Sequence, residues 1–214
     1  MKIAIMQPYF MPYLGYFQLI KEVDLFVFYD DVNYIKKGWI NRNYITINNK
    51  LQRFTIPLIK PSQNKKIKDV EVNWECSDMK KLIKTFKYNL NNKPKALNIF
   101  ESIVKLKPNT ISNMAMLSIK LACKELNINT KFLKSSELAY TKKEDKILNL
   151  AEICKINNIK NYVNAEGGSK IYTKKDFLDQ GITLQFLKGL SSPSLLDIID
   201  TIDIKDKLLK YECI

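Results

Sequence analysis

The sequence contains no histidine among its 214 residues. Histidine is the side chain whose ordinary pKa lies closest to physiological pH, so any catalysis must proceed without the usual neutral-pH base. Metal sites that depend on histidine are excluded for the same reason. We therefore expect chemistry carried by other groups, with no bound metal.

Long hydrophobic runs and clustered cysteines are also missing. No stretch of about 18 apolar residues occurs, and Gln7 and Pro8 interrupt the apolar N-terminus, so neither a signal peptide nor a membrane span is predicted. Four widely spaced cysteines form no CxxC pair, which favours reduced thiols in a cytoplasmic protein. Cys123 and Cys154 lie on apolar faces of predicted helices, where they are expected to be core thiols.

The sequence has fewer acidic than basic residues. There are 35 lysines and arginines against 22 aspartates and glutamates, which gives a formal net charge of +13. This excess favours an anionic partner such as a nucleotide or polyanion. Because lysine and asparagine dominate, codon usage in an AT-rich genome explains the charge equally well, and both interpretations stay open. The length and composition predict one globular domain over residues 1–214.

Apolar runs and helical periodicities alternate along the chain. Residues 2–6 and 25–29 are predicted strands, and the helix between them, residues 12–22, completes a βαβ unit. The remaining predicted elements are a hairpin over 44–58 that turns at Asn48-Asn49, a strand over 67–74, helices over 78–90, 95–106 and 112–126, a strand over 130–136, a helix over 144–156, and strands over 161–165 and 182–187. We expect an α/β fold with a Rossmann-like, mostly parallel sheet, an inserted β-hairpin and a helical middle segment.

The stretch "AIMQPYFMPYLGYFQLI", residues 4–20, runs from the first predicted strand into the loop and helix that follow, and it combines two prolines, a glycine and several aromatic residues. Ligands of α/β sheets bind beyond the carboxyl ends of strands, so this loop is a candidate site. A helix that begins at Pro12 would offer its N-terminus to a phosphate or carboxylate. The alternative is aromatic packing around a stiffened turn. The candidate binding residues are Gln7, Pro8, Tyr9, Tyr13, Gly15 and Tyr16.

Asp30 and Asp31 follow the second predicted strand. Adjacent strand residues point to opposite faces, so at most one of the two is expected to face a given pocket. Burial beside an apolar strand would raise the pKa of that carboxylate and suit it to act as a general base. The alternative is an ordinary aspartate in a turn.

Basic, amide and aromatic side chains follow directly. Lys36 and Arg42 are candidates to bind a diphosphate, and Asn41 and Asn43 offer amides. Trp39 is a candidate to stack on a base or sugar. A solvated basic loop and a tryptophan packed in the core are the alternatives.

The segment "EGGSK" follows a strand and precedes a helix, as a phosphate-binding loop would. Glu166 is a second candidate base, and Gly167, Gly168 and Lys170 are candidate binding residues. No complete GxGxxG or P-loop pattern is present, so the pattern is not specific.

Several of these stretches resemble the signature of the WbqC-like family. They are "MKIAIMQPYFMPYLGYFQLI", "DLFVFYDDVNYIKKGWINRN", "FTIPL", and "YVNAEGGSKIY" with the following "GITLQF". The resemblance runs from residue 1 to about residue 190. Where the family carries a Leu-Ser-x-x-Asp element, this chain has the divergent "SSPSLLDIIDTI".

Members of this family occur among enzymes of O-antigen and other surface-polysaccharide synthesis, so the resemblance implies such a role. Some members are described as glycine transferases, which implies N-aminoacylation of an amino-sugar. The resemblance thus implies an acyl- or aminoacyltransferase that N-acylates the amine of a nucleotide-linked amino-deoxysugar. Asp30 or Asp31, and after them Glu166, would take the proton. Backbone amides of the Gln-Pro loop, or Asn41, would stabilise the oxyanion.

The chemistry requires no bound cofactor, only an activated acyl donor as co-substrate. A carrier-protein thioester, an aminoacyl-tRNA, an adenylate and acyl-CoA all remain open. The expected partners are thus a nucleotide-linked amino-sugar and an acidic carrier protein or aminoacyl-tRNA, and a homodimer stays open. The rival hypotheses are a basic nucleic-acid-binding module and a non-catalytic assembly protein.

Overall fold

A computed structural model describes all 214 residues of the chain. Eight strands form a six-stranded sheet and a separate two-stranded hairpin. The sheet contains β1 (Lys2–Met6), β2 (Leu25–Phe28), β5 (Lys131–Lys134), β6 (Asn161–Ala165), β7 (Thr183–Lys188) and β8 (Glu212–Cys213), and the hairpin contains β3 (Arg42–Ile47) and β4 (Lys50–Thr55).

The strand order is β5-β2-β1-β6-β7-β8, and all neighbours are parallel except β7 and β8. The chain adds β2 and then β5 on one side of β1, and it returns to add β6 and β7 on the other. The direction of winding therefore reverses between β1 and β6. In open α/β sheets this reversal leaves a crevice at the carboxyl ends of the two strands.

Helices cover both faces of the sheet. They are α1 (Leu14–Glu22), α2 (Ser77–Asn89), α3 (Pro94–Leu106), α4 (Ile111–Glu125), α5 (Lys146–Ile156), α6 (Lys174–Leu178) and α7 (Ile204–Leu209). Ala4 and Phe26 face a larger core that includes residues of α1 and α4. Ile5 and Val27 face a smaller core with residues of α5 and α6. Strands covered on both faces read as continuous apolar runs, as β1 and β2 do.

The hairpin is inserted between β2 and the helical segment α2–α4. Its turn residues Asn48 and Asn49 have positive φ angles of 50° and 58°. Two left-handed residues are what a tight hairpin turn requires, and asparagine adopts this conformation more readily than most residues. The predicted α/β fold, its mostly parallel sheet, the hairpin and the helical middle segment are confirmed.

Two local predictions are wrong. Residues 67–74 are not a strand, because Ile67–Asp69 forms a 3-10 helix and only isolated bridges at Val72 and Glu71 follow it. Ile67 and Val70 are both buried, and their spacing of three residues matches a 3-10 turn. The first helix begins at Leu14 and not at Pro12, with Tyr13 in extended conformation as its N-cap.

No helix in the structure combines the length and the apolar character needed to cross a membrane.

Candidate functional site

A cavity of about 640 Å³ lies at the carboxyl ends of β1, β6 and β7, where the sheet reverses its winding. Pockets of this size commonly hold small-molecule ligands. Its walls come from the loop after β1, the hairpin region, the turn after β6 and the loop after β7. The lining residues are Tyr9, Pro12, Tyr13, Gly15, Trp39, Asn43, Tyr44, Leu51, Ala165, Glu166, Gly167, Leu187, Gly189, Ser191, Ser192 and Pro193.

The loop after β1 is held in a strained conformation. Met11 has a φ of 48° although it carries a long side chain and precedes Pro12, and both features disfavour a left-handed backbone. Its N–H donates to Ser118 Oγ at 3.2 Å. Its carbonyl accepts from Asn43 Nδ2 at 2.6 Å and from Ser194 Oγ at 3.0 Å. These bonds fix the loop that places aromatic side chains in the pocket wall, and strain of this kind clusters at functional sites.

The loop after β7 supplies hydrogen-bond acceptors for the first backbone amides of α1. The N–H of Leu14 donates to Ser192 Oγ at 2.9 Å. The N–H of Gly15 donates to the carbonyl of Leu190 at 3.2 Å. Because the first amides of the helix already have protein acceptors, the prediction that this helix end binds an anion is wrong.

Two glycines allow this loop to lie on the helix. A Cβ atom on Gly189 would stand 2.8 Å from the Cα of Gly15. A Cβ atom on Gly15 would stand 3.2 Å from the carbonyl oxygen of Leu190. Gly15 therefore has a packing role at the edge of the pocket.

Glu166 and Gly167 line the pocket directly after β6. The predicted loop is a 3-10 helix, Glu166–Lys170, in which Glu166 is exposed. Gly168 faces Asn164, since a Cβ atom there would stand 2.6 Å from Asn164 Nδ2. Glu166 is the one charged side chain among the lining residues, and Gly168 and Lys170 do not contribute to the wall.

The hairpin side of the pocket is aromatic. Trp39 is 49% exposed, and its ring centroid lies 5.9 Å from that of Tyr44. The guanidinium of Arg42 lies 6.0 Å from the centroid of Trp39, and its Nε donates to the carbonyl of Gly38 at 2.7 Å. Arg42 is thus held beside the lining residue Trp39 and does not itself line the pocket.

Two phenols of the pocket wall are partly buried. Burial raises the pKa of Tyr9 to about 12 and also raises the pKa of Tyr13. Both hydroxyls therefore stay protonated at neutral pH, when they are able to donate hydrogen bonds to a ligand.

Asp30 and Asp31 lie outside the pocket, at the ends of β2 and β5. Asp30 is buried and accepts from the N–H and the Oγ of Ser136 at 3.1 and 3.0 Å. The Ser135 hydroxyl lies within hydrogen-bonding distance of both aspartates, and its shorter contact is to Asp31 Oδ1. The expectation that they point to opposite faces is wrong, because β2 ends at Phe28, two residues before Asp30.

Asp31 is surrounded by donors. Tyr140 donates to its Oδ2 at 2.7 Å, and Lys142 Nζ lies 3.3 Å from the same atom. Burial acts to raise the pKa of Asp31, but the hydrogen bonds from Ser135 and Tyr140 and the charge of Lys142 lower it overall. The expected raised pKa is therefore wrong for Asp31, and its oxygens are occupied within the protein.

Other predicted residues also have internal roles. The hydroxyl of Tyr16 is buried and donates to the carbonyl of Gln7 at 2.8 Å. Asn41 Oδ1 accepts from Tyr34 at 2.8 Å, and Asn41 Nδ2 donates to the carbonyl of Ile56 at 2.8 Å. Asn41 is therefore engaged away from the pocket. Half-buried Gln7, buried Pro8 and exposed Lys36 also lie outside the pocket lining.

Sequence reasoning missed part of the wall. Residues 189–193 follow a predicted strand and are rich in glycine, serine and proline, so the rule about strand ends would have identified this loop. Tyr44 and Leu51 carry no such signal, because they reach the pocket only through the placement of the hairpin. The lining residues absent from the predicted set are Pro12, Tyr44, Leu51, Ala165, Leu187, Gly189, Ser191, Ser192 and Pro193.

Comparison with known proteins shows that the WbqC-like protein family matches residues 7–194, which include every residue lining the pocket. The chain is also 29% identical over 187 residues to "Uncharacterized protein Rv1507c" of Mycobacterium tuberculosis (strain ATCC 25618 / H37Rv). That alignment covers 82% of this chain and 77% of the relative. No solved structure matches the chain.

Proposed function

The chain belongs to the WbqC-like protein family, and on this premise we propose that it is an acyl- or aminoacyltransferase. Its acceptor is the amine of a nucleotide-linked amino-deoxysugar used for a surface polysaccharide such as O-antigen. The observation that carries the proposal is the pocket of about 640 Å³ at the reversal point of a parallel sheet. This is where α/β folds bind nucleotide-containing ligands.

The composition of the wall supports the proposal. Trp39 and Tyr44 offer aromatic surface for a sugar or base, and the protonated hydroxyls of Tyr9 and Tyr13 offer donors. Glu166 places one carboxylate in the same cavity. A few polar groups among apolar and aromatic side chains are typical of small-molecule sites.

The proposed reaction is a direct attack. The bound ammonium group of the sugar first releases one proton to solvent. The free amine then attacks the carbonyl carbon of the activated donor, and a C–N bond forms as the bond to the leaving group breaks. The proton lost by the nitrogen passes to the Glu166 carboxylate, and the leaving group departs with the electron pair of the broken bond. Glu166 replaces Asp30 and Asp31 as the first candidate base, because neither aspartate lines the pocket.

The donor is an activated acyl group on a carrier. A carrier-protein thioester, an aminoacyl-tRNA, an adenylate and acyl-CoA all provide the required leaving group. The net charge of +13 suits an acidic carrier protein or a tRNA.

The test is product formation. The protein is incubated with dTDP-4-amino-4,6-dideoxyglucose and each donor class in turn, and the sugar nucleotide is analysed by mass spectrometry. We expect one donor class to give an N-acylated sugar, with the yield reduced in Glu166→Gln. Absence of product with every class, together with absence of sugar-nucleotide binding, would contradict the proposal.

The net charge favours a second candidate, a basic nucleic-acid-binding module. It predicts that an RNA oligonucleotide binds with steeply salt-dependent affinity while sugar nucleotides do not bind. Titration of both ligands at matched salt separates the two functions.

A further inference from the structure

The charges around the pocket indicate which end of the substrate enters it. We infer that the pocket holds the amino-sugar end with its ammonium group at Glu166, while the diphosphate lies outside, past Trp39 and beside Arg42. The inference rests on the proposed function and adds an orientation to it. It assigns Glu166 as the residue that selects an amine and Arg42 as a residue that binds phosphate.

The charge of the pocket lining disfavours binding of a diphosphate inside the pocket. None of the lining residues is a lysine or an arginine, and Glu166 is the one that carries a charge. A diphosphate placed here would bring its negative charges close to a carboxylate, with no lining cation to offset the repulsion. Like charges a few ångströms apart repel even where solvent reaches them.

The same lining attracts a cation. The Glu166 carboxylate is exposed and pairs with no lysine or arginine of the chain, so it is available to a ligand. The pocket also presents the rings of Tyr9, Tyr13, Trp39 and Tyr44. A carboxylate together with aromatic rings is a favourable environment for an ammonium group.

Arg42 lies where a diphosphate attached to that sugar would emerge. Its guanidinium is 6.0 Å from the ring centroid of Trp39, a half-exposed residue of the pocket lining. The bond from its Nε to the carbonyl of Gly38 fixes the side chain and leaves the two terminal nitrogens for a ligand. These nitrogens suit the oxygens of a phosphate.

Recognition of the amine is tested with a pair of ligands that differ at one atom. Calorimetry compares dTDP-4-amino-4,6-dideoxyglucose with dTDP-6-deoxyglucose, which carries a hydroxyl in place of the amine, at neutral pH and fixed salt. We expect the amine to bind about tenfold more tightly to the unmodified protein. Glu166→Gln is expected to abolish that ratio, and Glu144→Gln, which changes another exposed glutamate, is expected to leave it unchanged.

The position of the diphosphate is tested in the same series with dTDP added. Arg42→Ala is expected to weaken all three ligands by a similar factor of about ten and to leave the ratio of amine to hydroxyl intact. Arg53→Ala changes the other arginine of the hairpin and is expected to leave all three affinities unchanged. Circular dichroism verifies that every variant is folded.

The possible failures are distinguishable. Equal affinity for the amine and the hydroxyl, or an intact ratio in folded Glu166→Gln, would overturn the orientation while N-acylated product still supports the proposed function. Unchanged binding in Arg42→Ala would overturn the placement of the diphosphate. Absence of binding by every sugar nucleotide would overturn the orientation and the proposed function together.

Discussion

Asn43 Nδ2 donates a 2.6 Å hydrogen bond to the carbonyl of Met11, and this bond joins the hairpin to the loop after β1. The other end of the same side chain, Asn43 Oδ1, accepts from the N–H of Tyr44 at 2.8 Å. Asn43 thus connects the left-handed residue of the loop to the aromatic wall formed by the hairpin. The Asn43 side-chain amide therefore links two sides of the pocket, the loop after β1 and the hairpin.

Replacing that amide is expected to loosen both sides of the pocket. Asn43→Ala removes one of the two side-chain donors to the Met11 carbonyl, and we expect a loss of about 1–2 kcal/mol in the free energy of unfolding. Sugar-nucleotide affinity should fall as well. Urea unfolding and calorimetry measure the two effects.

The matched control is Asn89→Ala, which removes an exposed hydrogen bond to Thr85 on α2. It is expected to change the free energy of unfolding by less than about 0.5 kcal/mol. An equal effect of the two substitutions would contradict the special position of Asn43.

Two of the three glycines in the pocket wall, Gly189 and Gly167, should respond differently to a methyl group. Gly189→Ala places a Cβ atom 2.8 Å from the Cα of Gly15 and from Gln18 Oε1. Because the Gly15 contact is with backbone, the loop must move away from α1, at a cost of about 1–3 kcal/mol in unfolding free energy. Gly167→Ala meets nothing within 4 Å. It should unfold like the unmodified protein, and a similar loss in both variants would refute the close approach of loop and helix.

The free energy of unfolding at acidic pH should depend on the ionisation of Asp31. Its pKa is lowered in the folded protein, so its ionised form stabilises the fold above the ordinary value of 3.8, and this contribution is lost as the pH falls through the folded-state pKa. Asp31→Asn should therefore be less stable than the unmodified protein at neutral pH. The difference should shrink below about pH 4.

Urea unfolding at a series of pH values measures this difference. Asp78→Asn is the control, since the Asp78 side chain is 80% exposed. A difference that grows as the pH falls would show that the pKa of Asp31 is raised and not lowered.

The divergent C-terminal segment holds the hairpin in place. Asp197 Oδ1 accepts from Lys93 Nζ at 2.9 Å, and its Oδ2 accepts from the N–H of Thr46 at 2.8 Å. The Asp197 side chain is 6% exposed, so Asp197→Ala leaves the Thr46 amide without its acceptor. We expect a loss of about 2–4 kcal/mol in unfolding free energy. Asp203→Ala, which removes an exposed pair with Lys207, should cost less than about 1 kcal/mol.

Local sequence patterns predict those elements of the fold whose structure depends on neighbouring residues alone. The turn at Asn48-Asn49 and the buried strand β2 follow from residue type and hydrophobicity alone. The apolar residues of the segment that begins at Ile67 fit both the two-residue period of a strand and the three-residue period of a 3-10 helix. Only tertiary packing selects the 3-10 turn.

The candidate site was only partly predictable, for a related reason. Glu166 is predictable because it directly follows β6, and the carboxyl end of β6 lies beside that of β1 in the parallel sheet. For Asp31, burial beside an apolar strand predicts a raised pKa. The donors that lower it, Ser135 and Tyr140, lie more than 100 residues away in the sequence. No local sequence pattern around Asp31 reveals hydrogen-bond donors that come from the segment after the neighbouring strand β5.

The central claim is that a sugar nucleotide binds where the sheet reverses between β1 and β6. Hydrogen–deuterium exchange with and without dTDP-4-amino-4,6-dideoxyglucose tests it most directly. We predict slower exchange in residues 9–15, 39–44, 165–167 and 189–193, which surround the pocket. Protection confined to the segments around Asp31, residues 29–37 and 131–143, or no protection at all, would contradict the claim.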